Sequence, residues 1–155
     1  MKIIEIVKGN DSVTIQGIIK LEKEAFGIGG MNEWHLVPLI RHGRVYVIKD
    51  SDIVIGSVQY ILDWNCPKKA YMFGVAVSEN YRGKGVGTKL LIESFEALKK
   101  ENIEEVELTV DPENAAAVNV YHAKLGFEVT DFRKNEYGDG EDRLVMLRPF
   151  IDKSK

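Results

Sequence analysis

Three glycines, at 83, 85 and 87, stand in the run Arg82-Gly-Lys-Gly-Val-Gly-Thr88, between an apolar stretch and an amphipathic one. Residues without a Cβ let successive backbone N–H groups face one point, so the run can cradle an anion. Downstream, Val86, Leu90, Leu91, Ser94, Phe95 and Leu98 recur at helical spacing. A helix therefore opens at the turn, with its positive dipole end towards the same anion. Arg82 and Lys84 add positive charge. Two glycine-rich phosphate motifs do not fit. The dinucleotide pattern G-x-G-x-x-G finds Thr88 or Leu90 where its last glycine is needed, and the P-loop pattern finds Ser78 in place of its first glycine and Gly85 after Lys84.

Other residues with chemistry to offer are sparser. Asn114 and Tyr121 are seven apart in a predicted helix, so both can point from one face at one groove. Asn114 is also placed to cap that helix. The single cysteine, Cys66, lies in Cys66-Pro-Lys-Lys, which reads as a turn, and excludes an internal disulfide or a multi-cysteine metal site. His35, His42 and His122 lack ligand spacing, so no metal site is expected.

The elements that must position these groups follow from periodicity. A strand over residues 2–7 leads to a helix capped at Asp11 or Ser12 and ending at Gly27. A second helix covers 33–41, with Pro38 either shortening it or delaying its start. Residues 44–49 and 53–62 form a hairpin turning at Asp50-Ser-Asp52, in which Gly56 permits a bulge or a close approach. After the loop Asn65-Cys-Pro, residues 70–77 are almost continuously apolar, as in a strand covered on both faces. A helix over 85–100 and an alternating strand over 104–110 complete a βαβ unit, whose strands are parallel and whose crossover is right-handed. The remaining elements are a helix over 114–125 ending at Gly126, strands at 127–132 and 144–147, and the polar loop 135–142 between them; the tail 151–155 should fray.

Arg82-x-x-Gly85-x-Gly87 resembles the acetyl-CoA pyrophosphate motif, Q/R-x-x-G-x-G/A, of the GNAT superfamily of N-acetyltransferases. Asn114-Ala-Ala-Ala-Val-Asn-Val-Tyr121-His-Ala-Lys-Leu-Gly126-Phe127 resembles that family's later pattern, in the same order and spacing. The resemblance covers roughly residues 45–149. It implies an α/β fold with a mixed, mostly antiparallel sheet, a central splayed parallel strand pair and about four helices. It further implies acetyl-CoA as co-substrate, held by Arg82, Gly83, Lys84, Gly85, Val86, Gly87 and Thr88, with backbone at Val75, Ala76 and Val77 along the pantetheine and an amide near Val75 polarising the thioester. Asn114 would bond the pantetheine arm and Tyr121 would act as general acid. A phenol pKa of about 10 suits returning a proton to a thiolate whose conjugate acid lies near ~8 to 9; the alternative is a core ring under Phe127.

Within the superfamily, the chain resembles ribosomal-protein N-terminal alanine acetyltransferases. Those carry a glutamate where this chain has Thr109, while Glu107 lies two residues earlier on the same side of the strand. Glu107 is the first candidate for the general base, Glu33 the second and a water chain the third. Arg133-Lys-Asn-Glu-Tyr137 and Glu141-Asp142-Arg-Leu-Val-Met146 resemble those enzymes' C-terminal hairpin, whose tyrosine, here Tyr137, helps to hold the acceptor. Glu136 replaces an aromatic residue there, and the loop is shorter. Acidic residues at 136, 139, 141 and 142 either favour a cationic acceptor or solvate a hairpin tip.

Composition bounds the reading. With 155 residues, 45% of them hydrophobic, the expectation is a single acetyltransferase domain over 1–150 followed by a tail at 151–155. A net charge of −3 from 29% interspersed charged residues disfavours nucleic acid or a membrane surface as partner. Nothing resembles a signal segment, and the expected compartment is the cytoplasm, as monomer or homodimer. The expected activity is acetyl transfer to a primary amine such as a peptide N-terminus, with a lysine, small amine or polyamine as alternative acceptor. Readings of other classes are a non-catalytic acyl-CoA sensor and an unrelated nucleotide binder.

Overall fold

The structure, a computed structural model, describes residues 2–150; the tail expected to fray lies outside them. Seven strands follow the hydrogen-bonded order β1-β2-β3-β4-β5-β7-β6. They are β1 (Lys2–Ile6), β2 (Arg44–Asp50), β3 (Ile53–Asp63), β4 (Cys66–Val77), β5 (Glu105–Val110), β6 (Glu128–Arg133) and β7 (Arg143–Pro149). The helices are α1 (Ser12–Phe26), α2 (Glu33–His42), α3 (Val86–Lys100) and α4 (Ala115–Asn119), the last continuing as a π-helical turn over Val120–Lys124. Contacts gather into two compact units. One holds the residues up to Ile61 with Phe73–Ala97, the other Leu62–Met72 with the residues from Leu98 on.

In the first unit, the Asp11 carboxylate caps α1 by accepting from Thr14 N at 3.1 Å and from Thr14 Oγ1 at 2.7 Å. Chain reversal at Gly27 needs its φ of 62°, which ends the helix where the sequence predicts. Ile15, Ile18 and Ile19 of α1 bury against Leu36 and Ile40 of α2 and against Val45 and Val47 of β2. Asn32 caps α2, accepting from Trp34 N at 2.9 Å. Pro38 neither shortens nor delays α2 but sits inside it. The helix gives up the hydrogen bond that residue 38 would donate, and its cap and buried face carry it through. The bulge expected near Gly56 is present, since Ile48 faces Gly56 while Lys49 faces Val54. A Cβ at Gly56 would also lie 2.8 Å from Ile48 Cγ2, so close approach is its second reason.

The second unit begins in the β3–β4 hairpin, where Asn65 N donates to Asp63 Oδ1 at 2.9 Å. Only Trp64 and Asn65 turn, so Cys66 and Pro67 belong to β4 rather than to the predicted loop. β4 and β5 pair in parallel from Lys69↔Glu105 to Tyr71↔Glu107, as the βαβ reading requires. β5 alternates strictly, burying Val106, Leu108 and Val110 and leaving Glu105, Glu107 and Thr109 on its polar side. It pairs with β7, and β7 with β6 across a bulge between Val129 and Asp131.

Two further expectations change. β4 is not covered on both faces: Ala70, Met72 and Ala76 are buried, whereas Phe73 is half exposed. An apolar run and an alternating one look alike when the outward positions are themselves aromatic or aliphatic. The helix predicted over 114–125 is α-helical only to Asn119 and then widens. Phe127 N donates to Tyr121 O at 2.9 Å and Gly126 N to His122 O at 3.2 Å, with Gly126 at φ 75°. Each bond spans one residue more than the usual glycine-terminated α-helix end.

Candidate functional site

In the first unit, β4 runs through Val75, Ala76 and Val77 into a 3-10 turn at Glu79–Tyr81 and then into the glycine run. Gly83 and Gly85 have φ of 74° and 78°, and a Cβ on either would meet nothing within 4 Å. Their glycine character therefore serves the backbone path rather than packing. Val86 starts α3, whose first-turn N–H groups have no acceptor within the helix. The run from Arg82 to Thr88 thus turns through two positive-φ glycines into α3, with Val86 buried. Gly87 has a packing reason as well, its Cβ position lying 3.3 Å from Val77 Cγ2. Arg82 turns back, its Nε donating to Val77 O at 3.1 Å. The Lys84 ammonium stands 6.0 Å from the centre of the Tyr81 ring. Glu33 is exposed in the first turn of α2.

In the second unit, the polar side of β5 forms a hydrogen-bonded cluster. Tyr71 Oη lies 2.8 Å from Thr109 Oγ1 and 3.3 Å from Tyr137 Oη. Burial, reinforced by the hydrogen bond with Tyr137 and by the charges of Tyr137 and Glu107, pushes the Tyr71 phenol up to about 12 against the opposing pull of Thr109. Tyr137 itself is exposed and lies under the Arg143 guanidinium at 4.9 Å. Glu107, with only 14% of its side chain exposed, has Lys69 Nζ at 3.4 Å and Arg133 Nη2 at 3.8 Å. Burial works against the Lys69 ammonium, but Glu107, with Asp63 and Glu105, outweighs it and holds that pKa above the ordinary lysine value. Arg133 also pairs with Glu136, the residue before Tyr137 in sequence, at 2.9 Å.

Tyr121 lies on the widened turn, edge-to-face on Phe127 with ring centres 5.8 Å apart. Burial raises its pKa above the ordinary tyrosine value, so the phenol keeps its proton at neutral pH. Asn114 caps α4, accepting from Ala117 N at 3.1 Å. Because the turn widens before Tyr121, the seven-residue spacing no longer maps onto one α-helical face.

Residues 16–127 match the acetyltransferase (GNAT) family. The chain belongs to that family. This GNAT enzyme is 43% identical over 114 residues to an N-alpha-acetyltransferase of Sulfurisphaera tokodaii, spanning 67% of this chain and 68% of that relative. It is 35% identical over 94 residues to the ribosomal protein bS18-alanine N-acetyltransferase of Escherichia coli, spanning 59% and 60% of the two chains. Among solved structures, the ribosomal-protein-S18-alanine N-acetyltransferase from Escherichia coli superposes with a TM-score of 0.82 at 21% identity, covering 100% of this chain and 99% of that one. That likeness establishes the fold: a mixed, mostly antiparallel sheet with one parallel pair, as expected from the motifs.

Sequence reasoning missed Tyr71, Lys69 and Arg133. The signal for Tyr71 was available: alternation along β4 and a parallel β5 put its side chain on the same side as Glu107 and Thr109.

Proposed function

We propose that this GNAT enzyme transfers acetyl from acetyl-CoA to the free α-amine of a peptide or protein N-terminus. The observation that carries the cofactor part is the open cradle at Gly83 and Gly85, with positive φ at both, leading into the N-terminus of α3. Such a turn suits a pyrophosphate, because the first N–H groups of a helix are free to donate to an anion and nothing fills the space a Cβ would take at Gly83 or Gly85. The relatives named for N-alpha-acetylation, one of them acting on a ribosomal-protein alanine, support the acceptor class; the small-amine and sensor readings draw no such support.

Acetyl-CoA supplies an activated acetyl thioester. The residues Arg82 to Thr88 hold its pyrophosphate, backbone at Val75 to Val77 aligns its arm, and an N–H near Val75 polarises the thioester oxygen. Asn114 contributes to holding the arm while capping α4. Tyr121, kept protonated by burial, donates its proton to the departing thiolate. On the acceptor side, Tyr137 holds the amine-bearing end, with Glu33 as a second contact. Tyr71 and Thr109 form a hydroxyl pair that passes the amine's proton outward. Glu107, tied to Lys69 and Arg133, keeps the charge balance of that polar side and is the carboxylate to which the proton path leads.

Calorimetric titration with acetyl-CoA, CoA, ATP and NAD tests the cofactor assignment. Micromolar binding confined to the CoA compounds is expected. Tighter binding of ATP or NAD would overturn it.

A further inference from the structure

The cradle glycines have open space around them, so something before them must fix where the cradle sits. The first anchor is a carboxylate. Glu24, in the last turn of α1, accepts from the backbone N–H of Glu79 at 2.7 Å and from Ser78 Oγ at 3.4 Å. Those two residues open the 3-10 turn that feeds the glycine run. The second anchor is Asp50, at the end of β2, whose Oδ2 accepts from Tyr81 Oη at 2.9 Å. That bond draws the Asp50 carboxyl below its ordinary pKa and raises the Tyr81 phenol. Each hydrogen bond is charge-assisted, and each acts within five residues of Gly83.

Glu24 is exposed, and it lies beside cationic neighbours in sequence such as Lys20 and Lys23, yet its short contact is to a backbone N–H. A solvated surface glutamate gains nothing from that geometry. A carboxylate that fixes the start of a turn gains a capped N–H and a defined exit path for the chain. The same stretch of α1 carries Glu22 on its opposite face, buried to 4% exposure, where it accepts from Met31 N at 3.2 Å and holds the loop after α1. The last turns of α1 therefore reach two loops, inward through Glu22 and outward through Glu24.

We propose that Glu24 is a positioning residue for the cofactor cradle, holding the 3-10 turn before Gly83 so that the backbone N–H groups are set for an anion before one arrives. This rests on the reading of the glycine run as the acetyl-CoA pyrophosphate site. The sign of the effect makes it testable. Glu24 is negative and near a site for a polyanion, so as an electrostatic bystander it would weaken binding, and its removal would tighten it. As a positioning group, its removal does the opposite, since the free turn must be ordered at the cost of binding.

The experiment is acetyl-CoA titration by calorimetry, with steady-state kinetics and thermal melts, on the full chain and on Glu24→Ala, Glu24→Gln and Tyr81→Phe. Expected is a roughly tenfold weaker Kd and higher KM for acetyl-CoA in Glu24→Ala, with kcat at saturation within about twofold and Tm little changed. Glu24→Gln, which keeps an acceptor oxygen, should recover most of the affinity. Tyr81→Phe, which adds no charge, should shift Kd in the same direction as Glu24→Ala. Unchanged or tighter binding by folded Glu24→Ala overturns the positioning role while leaving the cofactor reading intact. So does a loss of kcat and Tm in step with affinity, which marks a merely structural residue. Failure of the unaltered chain to bind acetyl-CoA overturns the cofactor reading, and this inference with it.

Discussion

Tyr71 of β4 and Thr109 of β5 join their hydroxyls at 2.8 Å, two residues beyond the last parallel pairing position on β5. This bond puts a phenol, rather than a strand carboxylate, at the head of the polar side of β5. Replacing Tyr71 with Phe keeps the ring and removes the links to both Thr109 and Tyr137. Expected is a fall in kcat of roughly 10-fold or more, with acetyl-CoA affinity retained, read from steady-state kinetics beside calorimetry. Because the phenol is held near about 12, it stays protonated across the physiological range. The pH–rate profile should therefore show no limb belonging to tyrosinate formation near pH ~10.

Tyr121 has two duties, a packing contact with Phe127 and a retained proton. Tyr121→Phe keeps the first and deletes the second. Turnover should drop about 10²-fold while Tm and acetyl-CoA Kd stay near their original values. Full turnover in that variant would remove the general acid from Tyr121.

Gly85 separates backbone strain from blockage. Gly85→Ala meets no neighbour, so its cost is the positive φ alone, about 1 kcal/mol of stability in a denaturant titration. Gly85→Glu places a carboxylate in the cradle and should abolish acetyl-CoA binding in calorimetry while the chain remains folded.

Glu22 gives a pH signature of its own. Burial raises its pKa above the ordinary 4.5, only partly offset by the hydrogen bond from Met31 N. The folded chain thus holds that proton more tightly than the unfolded chain does. Stability from this group is full below pH 4.5 and is lost as pH rises through the raised folded value. Glu22→Gln, which can still accept from Met31, should melt higher than the original at pH 7, with the difference shrinking to nothing in melts below pH 4.5.

Much of the fold is legible in the residues because local chemistry decides it. Asp11 and Gly27 delimit α1, and the glycine run, flanked by an apolar strand and a helical pattern, marks the positive-φ turn into α3. What escapes is decided by neighbours distant in sequence. Pro38 stays in a helix because its buried face outweighs one missing hydrogen bond. Cys66 and Pro67 extend β4 because the hairpin closes at Asn65 instead. The widened turn around Tyr121 has no local marker, since Val120 to Lys124 read as ordinary helix. In the site, Glu107 stood out as a carboxylate on the same side of the strand as Thr109, two residues earlier. Its two cations, Lys69 and Arg133, come from different strands and become visible only once register is known.

The most direct test of the account is mass-resolved acetyl transfer from acetyl-CoA to matched peptides, one with a free N-terminus and blocked lysine side chains, the other with a blocked N-terminus and free lysines. Acetylation of the first, enzyme-dependent and saturable, with none of the second above background, is the predicted result. Transfer to the lysine peptide alone, or to neither under conditions where acetyl-CoA binds, would contradict it.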